Sequence, residues 1–229
     1  MLAHPRTASR PLWLRWTLVT VLGEIVGLGG AGILAGVAST LTPADPGTTL
    51  LILLTAAMLA SGAGEGAVVG YAQSRVLRHA LPDLPARRWI AATATGALLA
   101  WALGAGVFMA VLPDDAAFED YLPLMLLLGV ACGTLLGAAQ WLALRGHVGR
   151  SWLWITANTA GWAVGLMWAF FVPMAITEDT PLPVVIPLAL ATGLGTGLAP
   201  GAVTGYALDR LVRQTKTGRA SGTPRSMRA

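Results

Sequence analysis

Charged residues are scarce in this chain. Only 11% of its 229 residues are Asp, Glu, Lys or Arg, whereas a soluble domain usually carries about a quarter. Hydrophobic residues make up 55%, so water alone could not solvate a compact form of the chain. The shortage of charge therefore argues against an ordinary soluble domain and indicates a membrane protein.

Cysteine and histidine are also scarce. Cys132 is the only cysteine, so neither an intrachain disulfide nor a cysteine metal cluster is expected. His4, His79 and His147 stand singly, without the spacing of a metal site. Nucleotide-binding glycine loops, serine nucleophile elbows and zinc-protease motifs are absent from the sequence. We therefore expect no catalytic residue, metal site or cofactor, and favour a non-enzyme over an enzyme.

Long apolar runs are what the sequence does contain. A helix that crosses a bilayer needs roughly 20 mostly apolar residues, and six runs of that length occur. They span approximately residues 16–38, 48–71, 89–112, 121–144, 152–176 and 182–208. The sequence predicts an all-α fold, a six-transmembrane-helix bundle over residues 16–211. A basic arm over residues 1–15 precedes the bundle, and a disordered basic tail over residues 212–229 follows it.

The first run also has to be considered as a signal peptide, because arginines precede it. It is longer than a typical signal core and Glu24 interrupts it, so we expect it to remain in the protein.

Basic residues predict the orientation, because Lys and Arg collect in cytoplasmic loops. All of them lie in the arm, the second and fourth connections, and the C-terminal end: Arg6, Arg10, Arg15, Arg75, Arg78, Arg87, Arg88, Arg145, Arg150, Arg210, Arg213, Lys216, Arg219, Arg225 and Arg228. The other three connections hold acidic residues: Asp45, Asp114, Asp115, Glu119, Asp120, Glu178 and Asp179. We therefore expect a bacterial inner-membrane protein with both termini cytoplasmic. Its partner is the lipid bilayer, and nucleic-acid binding is not expected.

Tryptophans cluster near the basic ends of the runs. They are Trp13, Trp16, Trp89, Trp152 and Trp154, and we interpret them as an interfacial aromatic belt.

The even-numbered runs repeat one another. Segment Gly66–Arg78 returns as Gly201–Arg213 with eight of thirteen positions identical, and Gly133–Arg145 is a weaker third copy. In the odd-numbered runs, a tryptophan is followed seven residues later by glycine. The sequence thus predicts three parallel-repeated two-helix hairpins with pseudo-threefold symmetry about the membrane normal.

Glycines recur every four residues in the three even-numbered runs. They are Gly62, Gly66, Gly70, Gly129, Gly133, Gly137, Gly197, Gly201 and Gly205. Residues at this spacing share one helix face, and glycine there lets backbones approach closely. We interpret the stripes as structural helix-packing surfaces, with a pore lined by glycine backbones as the less common alternative.

Ionisable groups inside the apolar runs are costly and often functional. Glu24 and Glu65 lie about eight residues or more inside the basic boundary, which is a depth of roughly 12 Å. Neither is repeated in the other hairpins. We expect an intramembrane polar site of Glu24, Glu65 and Asn158, in which one glutamate is protonated or the two share a proton or a cation. The alternative is that each glutamate is protonated, or reaches toward water, and stabilises packing by a hydrogen bond.

The stretch GAAQWLALR at residues 137–145, followed by a basic turn and a helix with Trp154 and Gly161, resembles a pattern in uncharacterised polytopic membrane proteins of bacteria. The resemblance covers most of the chain. It implies a multi-pass membrane protein and carries no activity, substrate or catalytic residue.

Two functional hypotheses follow from the sequence. The first is a protein that binds or moves a small solute, ion or lipid within the bundle, with Glu24 and Glu65 at the site. The second is a non-transporting scaffold or assembly partner, in which the glycine stripes also hold a homo-oligomer or a membrane partner protein.

Overall fold

Six helices form the computed structural model, which describes residues 10–43, 45–111, 118–171, 176–177 and 180–220. The helices are α1 (Leu12–Leu41), α2 (Thr48–Ala80), α3 (Ala86–Val111), α4 (Phe118–Leu144), α5 (Leu153–Phe171) and α6 (Leu182–Ala220). Within these ranges there is no β-strand, and one isolated bridge joins Arg145 and Val148 in the turn between α4 and α5. The all-α prediction is confirmed.

Five of the described helices, α1, α2, α3, α4 and α6, are long and apolar enough to cross a membrane, whereas α5 over its 19 described residues is not among them. Large apolar side chains point outward from the bundle. On α1 alone, Leu22, Val26 and Leu34 are 59%, 63% and 66% exposed. Such surfaces are unfavourable in water and favourable against lipid chains. The chain is a multi-pass membrane protein.

The helices form a closed ring. Each packs against the next along the chain, and α6 returns to pack against α1. In a ring of this order α4 lies opposite α1, and α5 lies opposite α2.

Glycine brings neighbouring helices together around the ring. Every glycine of the α2 stripe faces α3, every glycine of the α4 stripe faces α5, and every glycine of the α6 stripe faces α1. A Cβ atom added at Gly66 would lie 2.7 Å from the Thr93 carbonyl oxygen, and one added at Gly133 would lie 2.7 Å from that of Asn158. Because these atoms belong to backbone, side chains larger than glycine would push the helices apart.

Three of the tryptophans depart from the interfacial belt that the sequence suggests. Trp16, Trp89 and Trp154 are at most 1% exposed and meet at the centre of the bundle. Their ring centroids are 5.5 Å to 5.8 Å apart, with edge-to-face angles of 70° to 84°, a geometry that aromatic rings favour. Trp13 and Trp152, 40% and 56% exposed, lie where a belt would be. We call the three buried rings the tryptophan cluster.

Helix α6 continues past the predicted end of the membrane domain at residue 211 and reaches Ala220. An ion pair of 2.8 Å between Asp209 and Arg213, one turn apart, is compatible with this extension. The start of the predicted tail is therefore helical. Residues 1–9 of the arm, residues 221–229 of the tail, and the acidic residues Asp114, Asp115, Glu178 and Asp179 lie outside the described residues.

Candidate functional site

The tryptophan cluster is held by hydrogen bonds from side chains of neighbouring helices. The Trp89 indole N–H donates to Gln73 Oε1 at 3.1 Å, and Gln73 Nε2 donates to Thr20 Oγ1 at 3.1 Å. Gln73 therefore links α1, α2 and α3 through a single amide group. Burying polar groups in an apolar bundle is tolerated because each one finds a partner.

The same arrangement recurs with Gln140, which accepts from the Trp154 indole at 2.9 Å and donates to Thr93 Oγ1 at 3.1 Å. In α6, Leu208 occupies the position that corresponds to Gln73 and Gln140 in the repeat. The Trp16 indole donates to Thr204 Oγ1 at 2.9 Å instead. All three indole N–H groups are satisfied. With the apolar residues that surround them, the rings close the basic end of the bundle.

A cavity of about 570 Å³ lies inside the ring, on the acidic side of the tryptophan cluster. All six helices contribute to its walls, which are mostly apolar. The polar side chains among them include Glu24, Glu65, Thr93 and Thr196. Neither Lys nor Arg lines the cavity in the described part of the chain.

Glu24 and Glu65 converge in this cavity. They are 2% and 6% exposed, and their carboxyl groups lie close enough to interact. Glu65 Oε2 accepts from the Trp101 indole N–H at 2.7 Å. Two ionised carboxyl groups this close would repel each other in an apolar surrounding, so a proton on at least one of them is favoured.

Glycine makes room for both glutamates. A Cβ atom added at Gly27 of α1 would lie 2.9 Å from Glu65 Cγ, and one added at Gly197 of α6 would lie 2.9 Å from Glu24 Cγ. The side chain of each glutamate thus passes over a glycine on the neighbouring helix. This close packing holds the two carboxyl groups at a fixed place in the wall of the cavity.

Two buried polar atoms in the cavity wall lack a hydrogen-bond partner among the described residues. They are Glu24 Oε2 and Thr196 Oγ1. Thr196 is 0% exposed, and its hydroxyl does not use the usual acceptor one turn back, unlike Thr192, which donates to the Leu188 carbonyl. Unpaired polar groups are unfavourable in an apolar surrounding, and both atoms are buried beneath the surface of the cavity wall.

The cavity opens on the acidic side, next to the first half of α2. Buried residues of α2 begin only at Gly62, and the exposed Thr55 belongs to the cavity wall. In its acidic half, α1 packs its glycines against α6: Gly32 faces Ala189 and Gly36 faces Val185. The exposed Thr55 in the wall leaves the cavity accessible beside the first half of α2.

Asn158, the third residue of the predicted site, lies elsewhere. It is buried one turn from Trp154, and its Nδ2 donates to the Trp154 carbonyl at 3.0 Å. It packs against α4 at Gly133 and Gly137 and is not part of the cavity wall. Among the described residues, no group of three or more His, Cys, Asp and Glu side chains could hold a metal ion.

Sequence reasoning missed Trp101, Trp162 and Thr196 as residues of the cavity wall. One signal was available for Trp162, because it occupies the position of Glu24 in the repeat, eight residues after the cluster tryptophan. No comparable signal marks Trp101 or Thr196.

A comparison of the chain with known proteins finds no matching family model, no matching curated protein and no matching solved structure.

Proposed function

We propose that this chain is a bacterial inner-membrane protein that binds and moves a small, largely apolar solute. The solute occupies the central cavity, and the carboxyl pair of Glu24 and Glu65 is its polar anchor. The observation that carries the proposal is the convergence of the two glutamates in one cavity.

The size and chemistry of the cavity support binding of a small molecule. Ligand sites are typically concave, about 300 to 1,000 Å³ in volume, and mostly apolar with a few polar groups. The cavity has a volume of about 570 Å³, and its wall includes the polar residues Glu24, Glu65, Thr93 and Thr196.

The carboxyl pair also supplies a means of coupling to protons. Two buried carboxyl groups in contact cannot both carry a charge at low cost, so the pair holds at least one proton. A solute that binds beside the pair exchanges with that proton or uses the remaining negative charge.

The arrangement of the helices supports a bundle that is closed at one end and open at the other. We infer that the three hairpins are parallel repeats related by a pseudo-threefold axis through the tryptophan cluster. The near-equal ring separations, 5.5 Å, 5.7 Å and 5.8 Å, and the repeated bonds of Gln73 and Gln140 support this. By the distribution of basic residues, the tryptophan cluster faces the cytoplasm and the open end faces outward. Movement of the solute then requires the cluster to separate.

The rival proposal, a scaffold that assembles through its glycine stripes, is less well supported. The stripes face α1, α3 and α5 of the same chain. A second chain could therefore use them only after the bundle opened.

A ligand panel tests solute binding. The full chain in nanodiscs is heated with matched small organic cations, anions and neutral compounds, since a ligand that binds the folded state raises the melting temperature. Gly104 lines the cavity with open space where a side chain would project, so Gly104→Leu fills it. Gly106 has equal space, is exposed and lies outside the cavity wall, so Gly106→Leu is the matched control.

We expect at least one class of compound to stabilise the wild type and Gly106→Leu but not Gly104→Leu. If no class does so, or if Gly104→Leu is stabilised as strongly as the wild type, the proposal is wrong.

A further inference from the structure

We propose that the solute is a hydrophobic organic cation, such as an ammonium or phosphonium ion with aromatic or alkyl substituents. This inference rests on the proposed function, because it names the chemical class that the same cavity accepts.

Charge is the first argument. The carboxyl pair with one shared proton carries one negative charge, and no Lys or Arg lines the cavity in the described part of the chain. Among the described residues of the wall, the only other side chain with an ionisable group, Cys132, comes from α4, opposite Glu24. Helix α2 places Glu65 beside Glu24, and helix α6 places Gly193 and Gly197 there. A charge in such a surrounding is stabilised by a partner of opposite sign.

Aromatic surface is the second argument. Trp162 on α5 lines the cavity on the side opposite α2, which carries Glu65. Trp101 lines it beside Glu65 and donates its N–H to the carboxyl group. Indole faces attract cations, and sites for quaternary ammonium groups combine such faces with negative charge. The walls that remain are apolar and match hydrophobic substituents.

Repulsion of anions is the third argument. A cation beside the carboxyl pair would compensate its buried charge. An anionic solute would meet like charge at short range in a low-dielectric surrounding, which is strongly unfavourable.

Binding of two ions of the same shape and opposite charge tests the inference. The full-length protein in nanodiscs of zwitterionic lipid is titrated with tetraphenylphosphonium or with tetraphenylborate, and empty nanodiscs are titrated in parallel to subtract partition into lipid. We expect saturable binding of the phosphonium ion that is roughly tenfold or more tighter than that of the borate ion. The variants Glu24→Gln and Glu65→Gln should weaken phosphonium binding by a similar factor, and Gly106→Leu should leave it unchanged.

Acidification provides an independent readout. Protons compete with the cation for the carboxyl pair, so phosphonium affinity should fall as the pH is lowered in the wild type. The pH dependence should be lost in the double variant Glu24→Gln, Glu65→Gln.

Solute binding by the cavity and the preference for cations can be contradicted separately. If tetraphenylborate or the neutral triphenylphosphine oxide binds as tightly as the phosphonium ion, and Gly104→Leu abolishes that binding, the cavity binds solutes but the cation assignment is wrong. Phosphonium affinity unchanged in both glutamate variants would also overturn the assignment. If none of the three probes binds above empty nanodiscs, the cation assignment falls, and the ligand panel decides separately whether solute binding survives.

Discussion

At the scale of single residues, the candidate site depends on how Glu65 is satisfied. Its carboxyl group contacts that of Glu24 and accepts a 2.7 Å hydrogen bond from the Trp101 indole. Trp101 therefore orients one member of the pair and contributes to the wall of the cavity. The local sequence around Glu65 gives no indication of this partner, which lies 36 residues away.

Trp101→Phe should destabilise the protein by about 1 to 3 kcal/mol, because Glu65 loses a buried hydrogen-bond donor. Unfolding in mixed detergent micelles measures the effect. Trp152→Phe is the matched control, since Trp152 is 56% exposed, and should be nearly neutral. A double-mutant cycle with Glu65→Leu should give a coupling energy of at least ~0.5 kcal/mol. Additive effects would show that the Trp101–Glu65 contact contributes nothing.

At the scale of helices, glycine determines which faces meet. Gly66 of α2 lies against the α3 backbone, whereas Gly64, two residues earlier, has open space where a side chain would project. The four-residue spacing in the sequence predicts a shared face, and the structure places that face against a neighbouring helix of the same chain. The stripe therefore contributes to folding of the single bundle.

Gly66→Ala should lower the free energy of unfolding by roughly 1 to 3 kcal/mol, because the added methyl group overpacks the α2–α3 contact. Gly64→Ala, the control on the same helix, should be neutral or stabilise by up to about 1 kcal/mol through helix propensity. Both are measured by thermal unfolding and by size-exclusion chromatography. A change of oligomeric state in Gly66→Ala without loss of stability would favour the scaffold over the bundle described here.

Helix boundaries and helix rotation differ in how well the sequence predicts them. The length of apolar runs reflects the thickness of a bilayer, so six helices could be read directly from the sequence. Burial of Trp16 could not, because a tryptophan near a helix end is equally compatible with an interfacial belt and with an inward cluster. The repeated position of Trp16, Trp89 and Trp154 was the available clue. The continuation of α6 to Ala220 has no signal in the sequence, because a polar helix beyond the membrane has no apolar periodicity.

At the scale of the whole molecule, closure of the ring creates the site. Glu24 is on α1 and Glu65 on α2, so their proximity agrees with a hairpin read from the sequence. The cavity beside them needs walls from all six helices. Its volume and its unpaired atoms depend on which rotation each helix adopts, and that rotation is set by contacts between distant segments.

Topology follows from the charge distribution and can be tested with single cysteines. Asp45 and Lys216 are exposed and lie near opposite ends of the bundle, so we introduce Asp45→Cys or Lys216→Cys into a Cys132→Ala background. A membrane-impermeant maleimide added to intact cells, after permeabilisation of any outer membrane, should label Asp45→Cys but not Lys216→Cys. Both should react after the cytoplasmic membrane is broken. Labelling of both sites in intact inner membranes would contradict the proposed orientation.

Detection of the proton shared by Glu24 and Glu65 is the most direct test of the proposed binding site. Infrared difference spectra of the reconstituted protein at neutral pH, recorded for the wild type against the double variant Glu24→Gln, Glu65→Gln, report a protonated carboxyl group by its C=O stretch. We predict that this band is present in the wild type, shifts in heavy water, and is lost in the double variant. Its absence from the wild type, or its persistence in the double variant, would contradict the carboxyl pair and the binding site built on it.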